Sequence, residues 1–147
     1  MTTRCREADH NDLGAILRLY QEAQIDDSES LALSDAQTLF SRMKSYPNYH
    51  LYVAEEAQQI IGSFALLIMD NLGHRGTPSA IVEDVAVHPG YQRQGIGKDM
   101  MQFAIQLSRD AGCYKIVLSS NLKREKAHAF YEALGFEKHG YSYRLNL

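Results

Sequence analysis

Apolar positions along this chain switch between a period near two and a period near 3.6, and each switch marks a candidate element. The stretch "TRCREA" (residues 3–8) alternates as a short strand, and Leu13, Ile16, Leu17, Tyr20 and Ala23 then return at helical spacing. Asp9 or Asn11 serves as the cap of that helix. "IDDSESLAL" is acidic and polar and reads as a loop, after which Ser34 and Gln37 form a capping-box pattern before Leu39, Phe40 and Met43. Pro47 ends this second helix. "HLYVAEE" and "QIIGSFALLIMD" are strands separated by "EAQQ", short enough for a hairpin turn, so they pair antiparallel.

"AIVEDVAVHP" alternates only in part, as a strand covered on both faces does, which makes it central. A long amphipathic helix is predicted from about Gly95 to Ala111, with Ile96, Met100, Phe103, Ala104 and Leu107 on one face and Gly112 as its stop. "YKIVLSS" follows as a strand, "KREKAHAFYEAL" as a helix closed by Gly135, and "FEKHGYSYRLNL" as one or two final strands. The order strand, helix, strand from Ala80 to Ser120 predicts a parallel pair joined by a right-handed crossover. These elements sum to one α/β (α+β) domain over residues 1–147, with a mixed central sheet of about six to seven strands flanked by about four helices.

Composition narrows the function. A chain of 147 residues, 45% hydrophobic, has the size of one ordinary domain, and a formal charge of −3 gives no general drive toward nucleic acid or an anionic membrane. The opening "MTTRCREADHND" lacks the apolar centre of a signal peptide, and a soluble, cytoplasmic protein without membrane or nucleic-acid partners is expected. Cys5 and Cys113 fit no metal or redox spacing and are expected as free thiols. His74, His88 and His128 form no ligand-spaced cluster, so no metal is predicted.

Candidate chemistry gathers in "HPGYQRQGIGK", residues 88–98, at the turn from the central strand into the long helix. A glycine-rich turn at a helix N-terminus offers unpaired N–H groups and the positive end of the helix dipole to a phosphate. Gly90 and Gly95 have the spacing of the first P-loop glycines, but Ile96 stands where the lysine belongs, and Asp99 rather than Ser or Thr follows Lys98. Gly95-Ile96-Gly97 begins a dinucleotide fingerprint, yet Met100 holds its third glycine position. What remains is Gln92-x-x-Gly95-x-Gly97 opening a long helix.

With that motif the sequence resembles the GNAT superfamily of acetyl-CoA-dependent N-acetyltransferases. "AHAFYEALGF" resembles the superfamily's second signature, a helix carrying Phe-Tyr and ending in Gly-Phe, and "RCREADHNDLGAI" its first strand and helix. The resemblance implies a coenzyme A pyrophosphate on the backbone of Gln92, Arg93, Gln94, Gly95, Ile96, Gly97 and Lys98, with added charge from Arg93 and Lys98. It also implies a pantetheine arm running beside "VEDVAV" as an added strand, along Val85, Ala86 and Val87. Asn121 either bonds the other side of the arm or serves as a turn residue before the last helix.

Acetyl transfer to an amine needs an acceptor for the amine proton, because a lysine-like ammonium of pKa about 10.4 costs roughly 4–5 kcal/mol to deprotonate at pH 7. The resemblance, in which this strand often bears a carboxylate, makes Glu83 the candidate base, directly or through water, and alternation along the strand puts Glu83 and Asp84 on opposite faces. Tyr131 occupies the family position for a tyrosine near the thioester sulfur and is the candidate acid. "VEDVAV" with "GCYKIVL" is similar to glucosamine-6-phosphate N-acetyltransferases, and "LSSNLKREKAHAFYEALGFEKHGYSYRL" to aminoalkylphosphonate N-acetyltransferases. Both imply a small-molecule amine, and an amine bearing an anionic group is one form of it. Lys123 and Arg124 would meet that group or the 3′-phosphate of the cofactor, or are solvated helix charges. The contrasting reading is a non-catalytic acyl-CoA-binding sensor. "IDDSES" and "GYSYRL" are expected to shape the substrate site or a dimer contact, and a homodimer is expected.

Overall fold

The alternating residues 49–69 fold back on themselves through Ala57 and Gln58, whose φ angles of 51° and 66° are the paired left-handed conformations of a tight hairpin turn. They form β2 (Tyr49–Glu56) and β3 (Gln59–Met69). The computed structural model describes residues 3–23, 25 and 29–147, which fall into two compact units, Met1–Val117 and Leu118–Leu147. Asp26, Asp27 and Ser28 of "IDDSES" lie outside the described residues.

In the first unit, β1 (Arg4–Glu7), β2, β3, β4 (Ser79–Val87) and β5 (Ile116–Val117) lie in that order in one sheet. The first four strands pair antiparallel, and β5 runs parallel to β4, as the strand–helix–strand order predicts. On one face, Leu51, Val53 and Ala65 pack with Leu13 and Ile16 of α1 (Leu13–Glu22) and Ala36 and Phe40 of α2 (Leu33–Lys44). Against the other side of β3 and β4 lies α3 (Ile96–Asp110), with Ile96, Met100, Met101 and Ala104 buried. A Cβ at Gly62 of β3 would stand 2.5 Å from the Met100 Sδ, so glycine sets how closely α3 approaches the sheet.

Of the two caps offered for the first helix, Asp9 is used: its side chain accepts the Asn11 N–H, while Asp12 accepts the Asp9 N–H, in the short 3-10 turn before α1. The capping box at Ser34 does not form. α2 starts at Leu33 behind an extended Ala32 without a side-chain cap, and the Ser34 carbonyl is taken up inside the first turn by the Thr38 hydroxyl.

The second unit contains α4 (Glu125–Ala133), followed by Gly135 at a φ of 97°. The expected terminal strands are absent from Phe136 to Leu147, and the sheet has five strands among the described residues rather than six or seven. Alternation supplies a face but no ladder partner: Tyr141, Tyr143, Leu145 and Leu147 all project into solvent. Among the described residues, no helix is long and apolar enough to cross a membrane.

One polar knot fastens β1 to α1 and β2. Arg6 donates to both oxygens of Asp12, at 2.7 and 2.9 Å, and to Glu55 at 3.2 Å. The guanidinium hydrogen bond is the main reason that the Asp12 carboxyl is held below its ordinary value, against the opposing pull of burial. The pair therefore stabilises the fold fully above the unfolded carboxyl value of about 4 and loses that contribution as pH falls through the lower folded value. Asp12→Asn should cost roughly 2 kcal/mol in urea unfolding at pH 7 and markedly less at pH 3. A pH-independent difference would contradict the linkage.

Candidate active site

The site begins where β4 and β5 part. They pair only at Ala80 with Ile116 and at Ile81 with Val117, so beyond Ile81 the β5-facing edge of β4 has no ladder partner among the described strands. Backbone donors and acceptors on such an edge need water or an extended ligand. Val85, Ala86 and Val87 lie on this stretch.

The same stretch contains a bulge. Ala65 pairs with Glu83 and Ser63 with Ala86, leaving Asp84 and Val85 together opposite Phe64. Asp84 takes a φ of 53°, a left-handed conformation that aspartate tolerates better than most residues. Glu83 shares a cross-strand row with Ala65 and Leu51 on the α1/α2 face, and the Tyr49 phenol, raised first by burial, is raised further by the charges of Asp84 and Glu83. Glu83 therefore shares the Tyr49 face, while Asp84 stands in the bulge opposite Phe64. Tyr49 had no sequence signal, since only the strand register brings it to that face.

After β4, the chain turns through Pro89–Tyr91 and reaches α3 by way of Arg93 and Gly95, at φ angles of 64° and 83°. Gly95 is the N-cap of α3, and its carbonyl accepts the Asp99 N–H, so the preceding N–H groups of Ile96, Gly97 and Lys98 have no acceptor within the helix. A Cβ on Gly95 would meet nothing within 4 Å. The glycine is thus required for its backbone conformation, and the space beside it admits an anion. Gln92, Arg93, Gln94 and Lys98 are exposed around it, with the Gln94 amide folded back to the Gly90 carbonyl at 3.4 Å. Dipole, open N–H groups and cationic side chains together suit a pyrophosphate.

In the second unit, Asn121 Oδ1 accepts the Lys123 N–H at 2.9 Å and the Asn121 carbonyl accepts the Arg124 N–H at 3.0 Å. The turn role is therefore real, and it leaves the Asn121 amide nitrogen for other use. Next to it, the buried Ser120 hydroxyl has no hydrogen-bond partner among the described residues, an unmet donor and acceptor that suits a polar ligand. Tyr131 lies on α4 between the rings of Phe130 and Phe136, at centroid distances of 5.1 and 5.8 Å. Burial raises its phenol above the ordinary value, with Arg124 pulling the other way, so it is protonated at neutral pH.

Cysteine chemistry has no place in this arrangement. Burial, with Asp99 adding, pushes the Cys5 thiol up to about 11, and burial also raises Cys113; neither forms a disulfide. No group of three or more His, Cys, Asp or Glu among the described residues is placed to hold a metal.

A parted parallel pair followed by a glycine-capped helix suits an extended, phosphate-bearing ligand along a strand. The chain belongs to the acetyltransferase (GNAT) family, whose model matches residues 14–136. It is 39% identical over 89 residues to a glucosamine 6-phosphate N-acetyltransferase of Trypanosoma brucei brucei, a match covering 60% of this chain and 58% of that protein. To an aminoalkylphosphonate N-acetyltransferase of Salmonella typhimurium it is 30% identical over 92 residues, covering 63% and 59%. Each match thus spans less than two thirds of the relative's length. A solved structure from Agrobacterium tumefaciens str. C58 superposes with a TM-score of 0.92 at 30% identity, covering 98% of this chain and 99% of its own.

The left-handed cap yields a direct test. Gly95→Glu adds both a strained backbone and a like charge at the anion position. It should abolish calorimetric binding of acetyl-CoA while the far-ultraviolet circular dichroism stays native; retained binding would refute this placement.

Proposed function

We propose that the chain, acting as one domain of residues 1–147, is an N-acetyltransferase that moves an acetyl group from acetyl-CoA to the primary amine of a small molecule. The observation that carries this reading is the unpaired edge of β4 leading into the Gly95 cap, with two carboxylates on the same strand. Acetyl-CoA would supply the activated thioester. Val85, Ala86 and Val87 would bond its arm along the open edge, the backbone of residues 92–98 would hold its pyrophosphate, and Asn121 would bond the arm through its remaining amide group.

Glu83 is the proposed base. Its role is to take the proton of the incoming ammonium, directly or through water, because attack needs the neutral amine. Asp84, in the bulge next to it, adds negative charge that draws the ammonium in.

Tyr131 is the proposed acid, on the strength of its motif and its protonated phenol. Complete transfer from a phenol of pKa about 10 to a thiolate of conjugate-acid pKa about 8.5 is uphill by roughly 2 kcal/mol, and burial steepens that gradient. Tyr131 therefore acts best as a hydrogen-bond donor to sulfur while the C–S bond is still breaking, with Arg124 lowering the cost. An anionic group on the acceptor, by analogy with the two named relatives, and a homodimer covering the exposed apolar tail complete the proposal.

Thiol release from acetyl-CoA, measured with aminoalkylphosphonates, amino sugars and their phosphates, polyamines, amino acids and peptide N-termini, tests the activity. Release with at least one amine is expected; tight acetyl-CoA binding with none would establish the sensor instead. With the best amine, Glu83→Gln should lower kcat about 100-fold at pH 7, and the deficit should shrink as pH approaches the amine pKa. Tyr131→Phe should lower kcat at least tenfold with acetyl-CoA affinity unchanged; turnover within about twofold of the parent would remove its role as donor.

A further inference from the structure

The residue that opens the loop makes contacts that acetyl transfer leaves unexplained. His88 follows β4 directly, its backbone N–H bonded to the Ile61 carbonyl at 2.8 Å. Its ring works in two directions: Nδ1 accepts the Gly90 N–H at 3.0 Å, and Nε2 lies 2.7 Å from Oε2 of Glu22, the last residue of α1. Accepting at Nδ1 assigns the ring proton to Nε2, which donates to Glu22. The imidazole is then a short bridge between loop and helix.

The surroundings fit that role. A Cβ at residue 90 would stand 3.2 Å from Nδ1 and 3.3 Å from Cε1 of His88, so glycine lets the ring close over the turn. The Tyr91 ring meets the imidazole edge-on at 5.5 Å, and its hydroxyl reaches Oε1 of Gln59, at the start of β3, at 3.4 Å. Acceptance of the Gly90 N–H by a side chain two residues earlier reproduces the bond of an Asx-turn with an imidazole in place of an amide.

We propose that His88 is a positioning residue for the donor. It sets the entry of the loop by holding the Gly90 N–H, and through Glu22 it ties the loop to α1, so that the N–H groups from Gln92 onward are preset for the pyrophosphate. This rests on the reading that residues 92–98 hold the pyrophosphate of acetyl-CoA.

The test compares His88→Ala, His88→Asn, Glu22→Ala and Glu22→Gln with the parent in calorimetric titration with acetyl-CoA and in steady-state kinetics. His88→Ala should weaken acetyl-CoA binding and raise its KM about fivefold, the typical worth of one such cap, while kcat and the KM of the acceptor stay within twofold. His88→Asn restores an acceptor for the Gly90 N–H and should bring acetyl-CoA affinity back to within twofold. Glu22→Gln still accepts from Nε2 and should behave as the parent, whereas Glu22→Ala should weaken binding about threefold. Parental affinity in His88→Ala, or equal loss in the Ala and Asn variants, overturns the proposal. If His88→Ala does not fold, Glu22→Ala decides: weakened binding at a parental melting temperature supports the bridge, and parental binding overturns it. A parent that binds no acetyl-CoA would instead sink the donor reading itself, which separates the two failures.

Discussion

The functional end of this molecule depends on β4 keeping only one of its two edges. Toward β3 it is paired for most of its length, whereas toward β5 the ladder ends at Ile81. An unpaired backbone edge is costly when buried dry, so this one must meet water or a ligand. The parting survives because other contacts hold β4. The β2–β3 hairpin supports one side, and α3, brought close over Gly62, lies against both β3 and β4. The bulge at Asp84 belongs to the same region, since an extra residue bends the strand and redirects the side chains on it.

Most of the fold was legible because its elements bury one face each. Leu13, Ile16 and Tyr20, or Ile96, Met100 and Ala104, state their period plainly and turn that face to the sheet. The positions that escaped depend on partners distant in sequence. Tyr141, Tyr143 and Leu145 alternate as a strand would, yet a strand requires a ladder partner and period alone names none. Ser34 and Gln37 have the spacing of a capping box, but α2 begins at Leu33, which places Ser34 inside the helix and out of reach of the cap position.

The candidate site divides along the same line. The loop was legible since a left-handed N-cap requires glycine, and Gly95 takes that conformation. The bulge in β4 was not, because nothing in "VEDVAV" marks which residue is bulged; the cross-strand register with Ser63 and Ala65 decides it. Nor does a histidine before Pro-Gly declare that its Nδ1 will fold back onto the second residue along. That requires the ring torsion that the Glu22 contact and the Tyr91 edge define.

The two carboxylates of β4 constrain the acceptor more at one end than at the other. An ammonium about 4 Å from one of them would gain roughly 4 kcal/mol at the effective dielectric of a protein surface, so in the proposed reaction they would draw the amine toward β4. A phosphoryl charge about 8 Å from a carboxylate, across water, would feel repulsion of only about 0.5 kcal/mol per charge, and salt reduces it further. In the proposed reaction the carboxylates would therefore orient an amine strongly without rejecting a phosphorylated one. Selection among acceptors would then fall to groups at the far end of the molecule, separable by mutation from the residues proposed to bind and activate the acetyl donor.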